Sequence, residues 1–502
     1  MNPIDRFLNG ITMYRLVLYC LLGITGTAFV LAGAGVLGYP IASLAGSLAV
    51  LVATGYIAHV LLRRVFGSAT SIESWIITIL ILFLILKPAG TTAEYAVLAV
   101  GAVLAIASKY IFAVQNRHLF NPAAIALVIL GLLGSGEVFW WVGSKALLPV
   151  VLIAGLLIVR KTRRFHMVLT FAVVALVVSA IVRGDSLSAG TLVRDMILSG
   201  PLVFFAAVML TEPSTIPATA KLRIAFAALV GAVYGVNFDI GPLYSSPELA
   251  LVVGNLFAYV ASSKQRLRLT LKAITKLSPG VYEFAFTSDR PLKFTPGQYL
   301  EWTLPHQHPD SRGNRRYFTV ASSPTEQEIK LGVRIDAARS SSFKRALLAM
   351  QPGYAVWAAQ LGGEFTLPKE QDKKIVCIAG GIGITPFRSM AKQLIDTGAR
   401  RDITLFYASA THDGFSYSQI LNQAAAHGIQ TKYVITGNDI PAGWSGMTGF
   451  LTAEAIAANV PDAVHAVYYI SGPAGMVSSY KKLLRDMNVP ARNIRTDYFP
   501  GF

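Results

Sequence analysis

Apolar positions keep one rhythm up to about residue 262 and another beyond it. The first part runs almost unbroken in Leu, Ala and Val; in the second, apolar residues alternate with polar ones or recur at helical spacing. Segments near 14–37, 41–62, 75–87, 93–113, 122–136, 146–159, 165–182, 195–211, 222–238 and 248–262 are long or apolar enough for a hydrocarbon layer, about ten spans. The change at Ser262-Ser263-Lys264-Gln265-Arg266 predicts a boundary between a membrane domain, 1–262, and a soluble remainder. Strand-like runs follow, among them LRLTLKAITKL, GVYEFAFTS, QYLEWTLP, YFTVASS and IKLGVRI, the pattern of a small antiparallel barrel over 263–370. From 371 to 502 strands alternate with helices, beginning with KKIVCIAGG and PFRSMAKQLIDTG, which predicts an α/β domain on a parallel sheet. The expected fold is a multi-span α-helical membrane domain, an antiparallel β-barrel and an α/β nucleotide-binding domain.

Charge adds topology to this division. Of the 502 residues 53% are hydrophobic and only 14% charged, and most of the charge lies after residue 263. Basic residues gather at every second boundary: Arg63 and Arg64, Arg117, Arg160 with Lys161, Arg163 and Arg164, Lys221 with Arg223, then Lys264. By the positive-inside rule those loops and both termini are cytoplasmic, as in a multi-pass protein of the cell inner membrane in contact with lipid. The net +17 then reflects topology first and attraction to nucleotide phosphates or anionic lipid second; no nucleic-acid signature accompanies it. The start MNPIDRFLNG lacks the pattern of a cleaved signal peptide. Two cysteines, Cys20 and Cys377, exclude a four-cysteine iron–sulfur cluster or a disulfide framework within one chain. Both read as packing residues, and no metal ligands are expected; the alternative is a homodimer in which two copies of Cys20 share a metal.

Leu86-Lys87-Pro88 ends the third apolar segment and Thr211-Glu212-Pro213 the eighth, while Asn121-Pro122 opens the fifth and Ser246-Pro247 the tenth. Both pairs lie 125 residues apart, which argues for duplication. Five spans per copy is an odd number, so the second copy is expected to be inverted in the membrane. Proline-interrupted helices at matching places expose backbone dipoles to a ligand and mark Thr91, Thr92, Asn121, Glu212, Ser214 and Thr215 as liners of a central site. Prolines that only begin or end helices are the plainer reading.

Between the seventh and eighth segments the chain reads Gly184-Asp185-Ser186-Leu187-Ser188-Ala189-Gly190-Thr191, by composition a solvated turn. It also resembles the Asp-x-x-Ser-Gly-Ala-Thr signal by which a flavin transferase attaches FMN, through its phosphate, to the last threonine. Asp185, Ser188 and Thr191 fall at the motif's positions, and Ala189-Gly190 inverts its Gly-Ala pair. With Phe120-Asn121-Pro122-Ala123, Thr211-Glu212-Pro213 and the order of segments, residues 1–262 resemble the NqrB/RnfD family of flavin-bearing membrane subunits. The resemblance implies covalent FMN on Thr191 at the outer face and a flavin transferase for maturation. It also implies a second, noncovalent FMN or riboflavin inside the domain, with Asn121, Glu212 and Thr215 as candidate ligands.

In the barrel, Arg316-Tyr317-Phe318-Thr319-Val320-Ala321-Ser322-Ser323-Pro324 resembles the Arg-x-aromatic-Ser/Thr flavin motif of the ferredoxin–NADP reductase superfamily. That implies FAD, with Arg316 as a forked donor to phosphate, Phe318 stacked on the isoalloxazine, Thr319 at its reactive nitrogen and Ser322 beside them. Ser340-Ser341-Ser342-Phe343 is similar to a second phosphate contact, through Ser341 and Ser342, and Gly362-Gly363-Glu364-Phe365 to a flavin-side turn, through Gly363. Ala379-Gly380-Gly381-Ile382-Gly383-Ile384-Thr385-Pro386 follows an apolar strand and opens a helix. This sets the amides of Gly380, Gly381 and Gly383, with Thr385 and Pro386, against a dinucleotide pyrophosphate. Ser471-Gly472-Pro473-Ala474-Gly475-Met476 resembles the superfamily's nicotinamide element, with Ser471 where Cys is usual and Gly472, Pro473 and Met476 lining it. The ending Asp497-Tyr498-Phe499 resembles the acid-x-aromatic tail that closes over the flavin, so Thr319, Ser471 and Phe499 form the expected catalytic set. Tyr407-Ala408-Ser409 ends the strand that meets the ribose; without an acidic side chain at Ser409, NADH and NADPH both stay open.

Such a chain would move electrons. A nicotinamide gives two electrons as hydride while long-range transfer proceeds singly, so a flavin converter is required. The hydrocarbon core is roughly 30 Å thick, too far for one hop from FAD to Thr191, which calls for a carrier between them. Heme would need four intramembrane histidines, and this half holds His59, His118 and His166. The expected function is a transmembrane flavin-dependent oxidoreductase that takes electrons from NAD(P)H to the outer FMN, an external flavoprotein or a quinone acceptor. A redox-driven Na⁺ or H⁺ transporter and a membrane NAD(P)H:quinone reductase are the alternatives.

Overall fold

Uncharged runs of Leu, Ala and Val leave the backbone only itself to bond with, and the apolar segments of the N-terminal unit are helical. The computed structural model describes residues 3–66, 72–114, 117–134, 138–183, 188–236, 238–240, 243–261, 266–307, 309–310, 313–336 and 340–497. The chain divides into two units, whose main parts are residues 7–262 and 263–499. The expected linker residues 262–265, Asp185 and Phe499 lie outside the described residues.

After α1 (Pro3–Gly10) come α2 (Met13–Gly33), α3 (Ile41–Phe66), α4 (Ile72–Ile85) and α5 (Thr92–Ile111). A short ladder of β1 (Ala113–Val114) with β2 (Arg117–His118) leads into α6 (Pro122–Leu132). Then follow α7 (Leu148–Thr162), α8 (Phe165–Arg183), α9 (Ala189–Leu198) and α10 (Leu202–Phe204), which runs into a π turn over Phe205–Met209. Next are α11 (Ala220–Gly235), a second ladder of β3 (Asp239–Ile240) with β4 (Leu243–Tyr244), and α12 (Pro247–Ala261). Among the described residues four helices, α2, α3, α5 and α8, are long and apolar enough to cross a membrane; a fifth crossing results if Gly190–Leu198 and Leu202–Met209, bent by 64°, form one span. The remaining five, α4, α6, α7, α11 and α12, hold 11 to 16 residues. At 1.5 Å per residue they rise roughly 16–24 Å, less than a ~30 Å core.

Packing within this unit repeats with the sequence offset. As α3 packs on α5 and α5 on α6, so α8 packs on α11 and α11 on α12; α2 meets α4 as α7 meets α10 and the π turn. Counterparts also touch, α2 against α7 and α6 against α12. Caps explain where the short helices begin. Asn121 accepts from the Ala124 N–H with Pro122 in the first turn, and 125 residues on Ser246 accepts from the Leu249 N–H with Pro247 next.

The C-terminal unit starts with β5 (Leu267–Ser278), where Leu267, Leu269 and Leu271 alternate inward against exposed Arg268 and Lys272. With β6 (Val281–Ser288), β7 (Tyr299–Thr303), β8 (Arg315–Thr319), β9 (Ile329–Arg334) and β10 (Ala355–Gly362) it forms an antiparallel sheet of order β8-β7-β10-β5-β6-β9. The edges β8 and β9 approach through the Ala321 N–H, which donates to the Lys330 carbonyl at 2.8 Å and curls the sheet toward closure. Short α13 (Ser342–Leu348) lies between β9 and β10. The second sheet is parallel, in the order β14-β13-β12-β11-β15-β16. Its strands are β11 (Ile375–Gly380), β12 (Ile403–Ser409), β13 (Ile429–Ile435), β14 (Met447–Thr448), β15 (Val467–Ser471) and β16 (Ile494–Thr496). All six residues of central β11 are buried because helices cover both faces: α14 (Thr385–Thr397) and α15 (Ser418–Gln423), then α16 (Ala453–Asn459) and α17 (Ala474–Asp486).

Candidate functional site

Two motifs far apart in sequence meet at the carboxyl end of the parallel sheet, where such sheets bind ligands. The turn after β11 needs glycine because of this meeting. A Cβ on Gly383 would strike the Ser471 carbonyl, and one on Gly380 the Met476 sulfur. The turn continues as a single 3₁₀ stretch, Gly381–Ile384, into α14, with Pro386 in the helix's first turn and the Thr385 hydroxyl donating to the Ile382 carbonyl at 3.2 Å. Gly380, Gly381, Gly383, Thr385 and Pro386 thus share one turn, and Ser471, Gly472, Pro473 and Met476 flank it.

The expected catalytic hydroxyls also converge. Thr319, at the end of β8, donates to Asp497 Oδ2 at 3.5 Å, and Ser471, at the end of β15, donates to the same oxygen at 3.3 Å. Asp497 is held by its own N–H, which donates to the Ile470 carbonyl at 3.0 Å. One carboxylate from the chain's end therefore bridges the barrel to the parallel sheet.

Along β8, alternation sends Arg316 and Phe318 to one side, where both meet Phe343, the ring of Phe318 at 5.9 Å and the Arg316 guanidinium at 5.3 Å. Arg316 is buried and donates to the Gly313 carbonyl at 3.2 Å and to Asp310 Oδ1 at 3.4 Å. The other oxygen of Asp310 accepts the Ser342 N–H at 3.0 Å. A carboxylate thus joins Arg316 to the start of α13 as an internal anion. The serines serve the scaffold as well. Ser341 caps α13 by accepting from the Lys344 N–H, Ser342 Oγ accepts from the Asp310 N–H at 2.8 Å, and Ser322 Oγ accepts from the Lys330 N–H at 3.0 Å. Gly363 has φ +108°, with the Tyr299 ring 3.0 Å from where a Cβ would stand. The Ser409 carbonyl accepts from the Thr436 N–H and hydroxyl, and beyond it Phe415 stacks on Trp444 at 5.9 Å.

In the N-terminal unit, Asn121 and Glu212 come together. Asn121 Nδ2 donates to Glu212 Oε2 at 2.8 Å, and the other oxygen pairs with His118 Nε2 at 2.8 Å. Asn255 braces them: its Oδ1 accepts the Asn121 N–H at 2.8 Å and its Nδ2 donates to the Thr215 carbonyl at 3.2 Å. Tyr14, Ser74, Thr78, Asn121, Thr211 and Glu212 supply the polar lining of a cleft here, and Lys109 donates to the Ser74 carbonyl and hydroxyl at 2.7 and 2.9 Å. Thr215 presents its carbonyl to this network, while Ser214 bonds Tyr14 at 3.3 Å. Thr91 and Thr92 are not in it; Thr91 caps α5 in a capping box with Glu94. Sequence reading missed Lys109 and Asn255 and weighed His118 only as a heme ligand, because contacts 94 and 134 residues apart leave no local signal. At the start of α9, exposed Thr191 has its hydroxyl 2.9 Å from that of Ser188, which caps the helix.

Residues 377–482 match the family described as Oxidoreductase NAD-binding domain. The flavohemoprotein of Rhodopirellula baltica is 25% identical over 218 residues, 41% of this chain and 53% of that protein. The phenol hydroxylase P5 protein of Acinetobacter pittii is 27% identical over 241 residues, 47% and 66% respectively. One component of the Na(+)-translocating NADH-quinone reductase of Neisseria meningitidis is 30% identical over 200 residues, 37% and 49%. The chain spans about half to two thirds of the length of these relatives. Its C-terminal unit is an oxidoreductase nucleotide-binding unit of the NAD(P)H-dependent flavoprotein kind.

Proposed function

We propose that the chain is a transmembrane oxidoreductase that takes hydride from NAD(P)H at its C-terminal unit and delivers electrons through its N-terminal unit to an acceptor on the far side. The bridge of Thr319, Asp497 and Ser471 carries this reading, since it joins a barrel hydroxyl to the nucleotide turn at the place where hydride must pass. FAD fits the barrel if its phosphate takes the place of the Asp310 carboxylate, the anion that Arg316 and the Ser342 N–H hold in this structure. Bound there, FAD converts a two-electron donor into a one-electron source. The protein's part is to hold and exclude. Arg316 and Ser342 bind the phosphates, the glycine turn admits the dinucleotide backbone, Thr319 and Ser471 orient the reacting rings, and Asp497 fixes both hydroxyls.

In the N-terminal unit the reading places a noncovalent FMN or riboflavin at the Asn121–Glu212 cleft and FMN, linked through phosphate, on Thr191. The exposed Thr191 hydroxyl and the polar cleft in an apolar unit support it. A flavin transferase would mature the protein, and an external flavoprotein would accept the electrons. The paired Glu212 and His118 favour a second reading, in which the same cleft moves H⁺ or Na⁺ with the electrons or reduces a quinone.

Mass spectrometry of protein made in a host with the transferase tests the outer carrier. Native protein is expected to carry one covalent FMN and Thr191→Ala none; unmodified native protein would remove Thr191 from the path and favour quinone reduction.

A further inference from the structure

We propose that Arg388 and Glu326 form a clamp that fixes the flavin-side strand against the nucleotide-side turn, which makes them positioning residues for hydride transfer. The proposal rests on the reading of the C-terminal unit given above. Arg388 lies in the first turn of α14, three residues after Thr385, with its side chain 2% exposed. Its guanidinium grips Glu326 with both terminal nitrogens, Nη2 to Oε1 at 2.9 Å and Nη1 to Oε2. Nη1 also donates to the Ala321 carbonyl at 3.1 Å. Glu326 in turn accepts the Ser323 N–H at 2.7 Å, and Ser389 Oγ donates to the Ser322 carbonyl at 2.6 Å. Ala321, Ser322 and Ser323 directly follow Val320 and Thr319. Ala321 and Ser322 are therefore bonded directly to the helix that the glycine turn opens, and Ser323 is tied to it through Glu326.

A second contact holds the turn from the β9 side. A Cβ on Gly332 would lie 2.8 Å from Thr385 Cγ2, 2.8 Å from Tyr417 Oη and 3.3 Å from Ile382 Cδ1. The missing side chain lets the turn rest on the barrel strand itself. A forked ion pair fixes angle as well as distance, which a single hydrogen bond does not. Transfer between two bound rings depends steeply on that geometry. Neither Arg388 nor Glu326 bonds to Thr319, Ser471 or Asp497, so their effect passes through the backbone they hold.

Glu326→Gln keeps the shape and removes the charge, Arg388→Lys keeps the charge and removes the fork, and Gly332→Ala wedges the second contact. In the full-length flavin-loaded protein, Glu326→Gln is expected to lower the saturating rate of flavin reduction about 10–100-fold while the nucleotide Kd and FAD content stay within about threefold, with Arg388→Lys intermediate. Hydrogen exchange gives a reading independent of turnover: amides of 321–325 and 382–389 should lose protection together in Glu326→Gln and in Gly332→Ala. Native saturating rates in both variants, or loss of protection in one segment without the other, would overturn the clamp. If native FAD is reduced by neither nucleotide, the functional reading fails, and the exchange data still decide the clamp.

Discussion

Thr319, Ser471 and Asp497 come from three elements and share one carboxylate oxygen, so the side chain easiest to remove cleanly is Asp497. Asp497→Asn should lower the saturating rate of flavin reduction by about 100-fold, the scale on which a misplaced pair of reacting groups loses rate, with FAD retained. Stopped-flow absorbance at saturating NADH or NADPH checks this. Gly383→Ala acts differently: its methyl meets the Ser471 carbonyl, so the turn must move away and nucleotide Kd should rise well before flavin binding suffers. Thr319, Ser471 and the glycines were legible because each sits in a short string with its own backbone requirement. Asp310 was not, since its contacts run to Arg316 and, 32 residues on, to Ser342. His118 was legible only as a histidine; its partner Glu212 stands 94 residues away.

Helix α14 links the glycine turn to the barrel, and its stability should carry a pH signature. Burial pushes the Glu326 carboxyl up, but hydrogen bonds and charge from Arg388, the Ser323 N–H and Lys330 outweigh it and hold the group below its usual range. An unfolded glutamate titrates near ~4.3. The stabilisation is therefore present above that pH and is lost as pH falls through the lower folded value. Glu326→Gln should cost about 3 kcal/mol near neutral pH, because it removes the carboxylate bonded to the buried Arg388 and leaves only the more distant charge of Glu283, and the gap to native protein should narrow in acid. Denaturant titrations of the full chain across pH, read at a probe in the C-terminal unit, measure it. In the other unit the starts of α6 and α12 were readable from Asn121-Pro122 and Ser246-Pro247, because caps and prolines act locally. Helix length was not: an apolar run shows that a segment avoids water, while where it bends, as between Leu198 and Leu202, depends on what packs around it.

The two halves differ in how far sequence alone could take them. The C-terminal unit was legible in its succession of strands and helices and in the glycine turn after β11, because nucleotide binding needs bare backbone at a strand end, a demand only certain residues meet. The N-terminal unit gave away its duplication and the prolines at which α6 and α12 begin, but the polar network of Asn121, Glu212, His118 and Asn255 is a product of packing between repeats. On the proposed reading, a hydride-accepting unit and an apolar helical unit joined in one chain make a route for electrons across the bilayer. Proteoliposomes with a membrane-impermeant one-electron acceptor sealed inside, supplied with NADH or NADPH outside, test that route most directly. Molecules with the C-terminal unit outward should reduce the enclosed acceptor, and both Asp497→Asn and Thr191→Ala should slow its reduction; nucleotide oxidation that leaves the enclosed acceptor oxidised would contradict it.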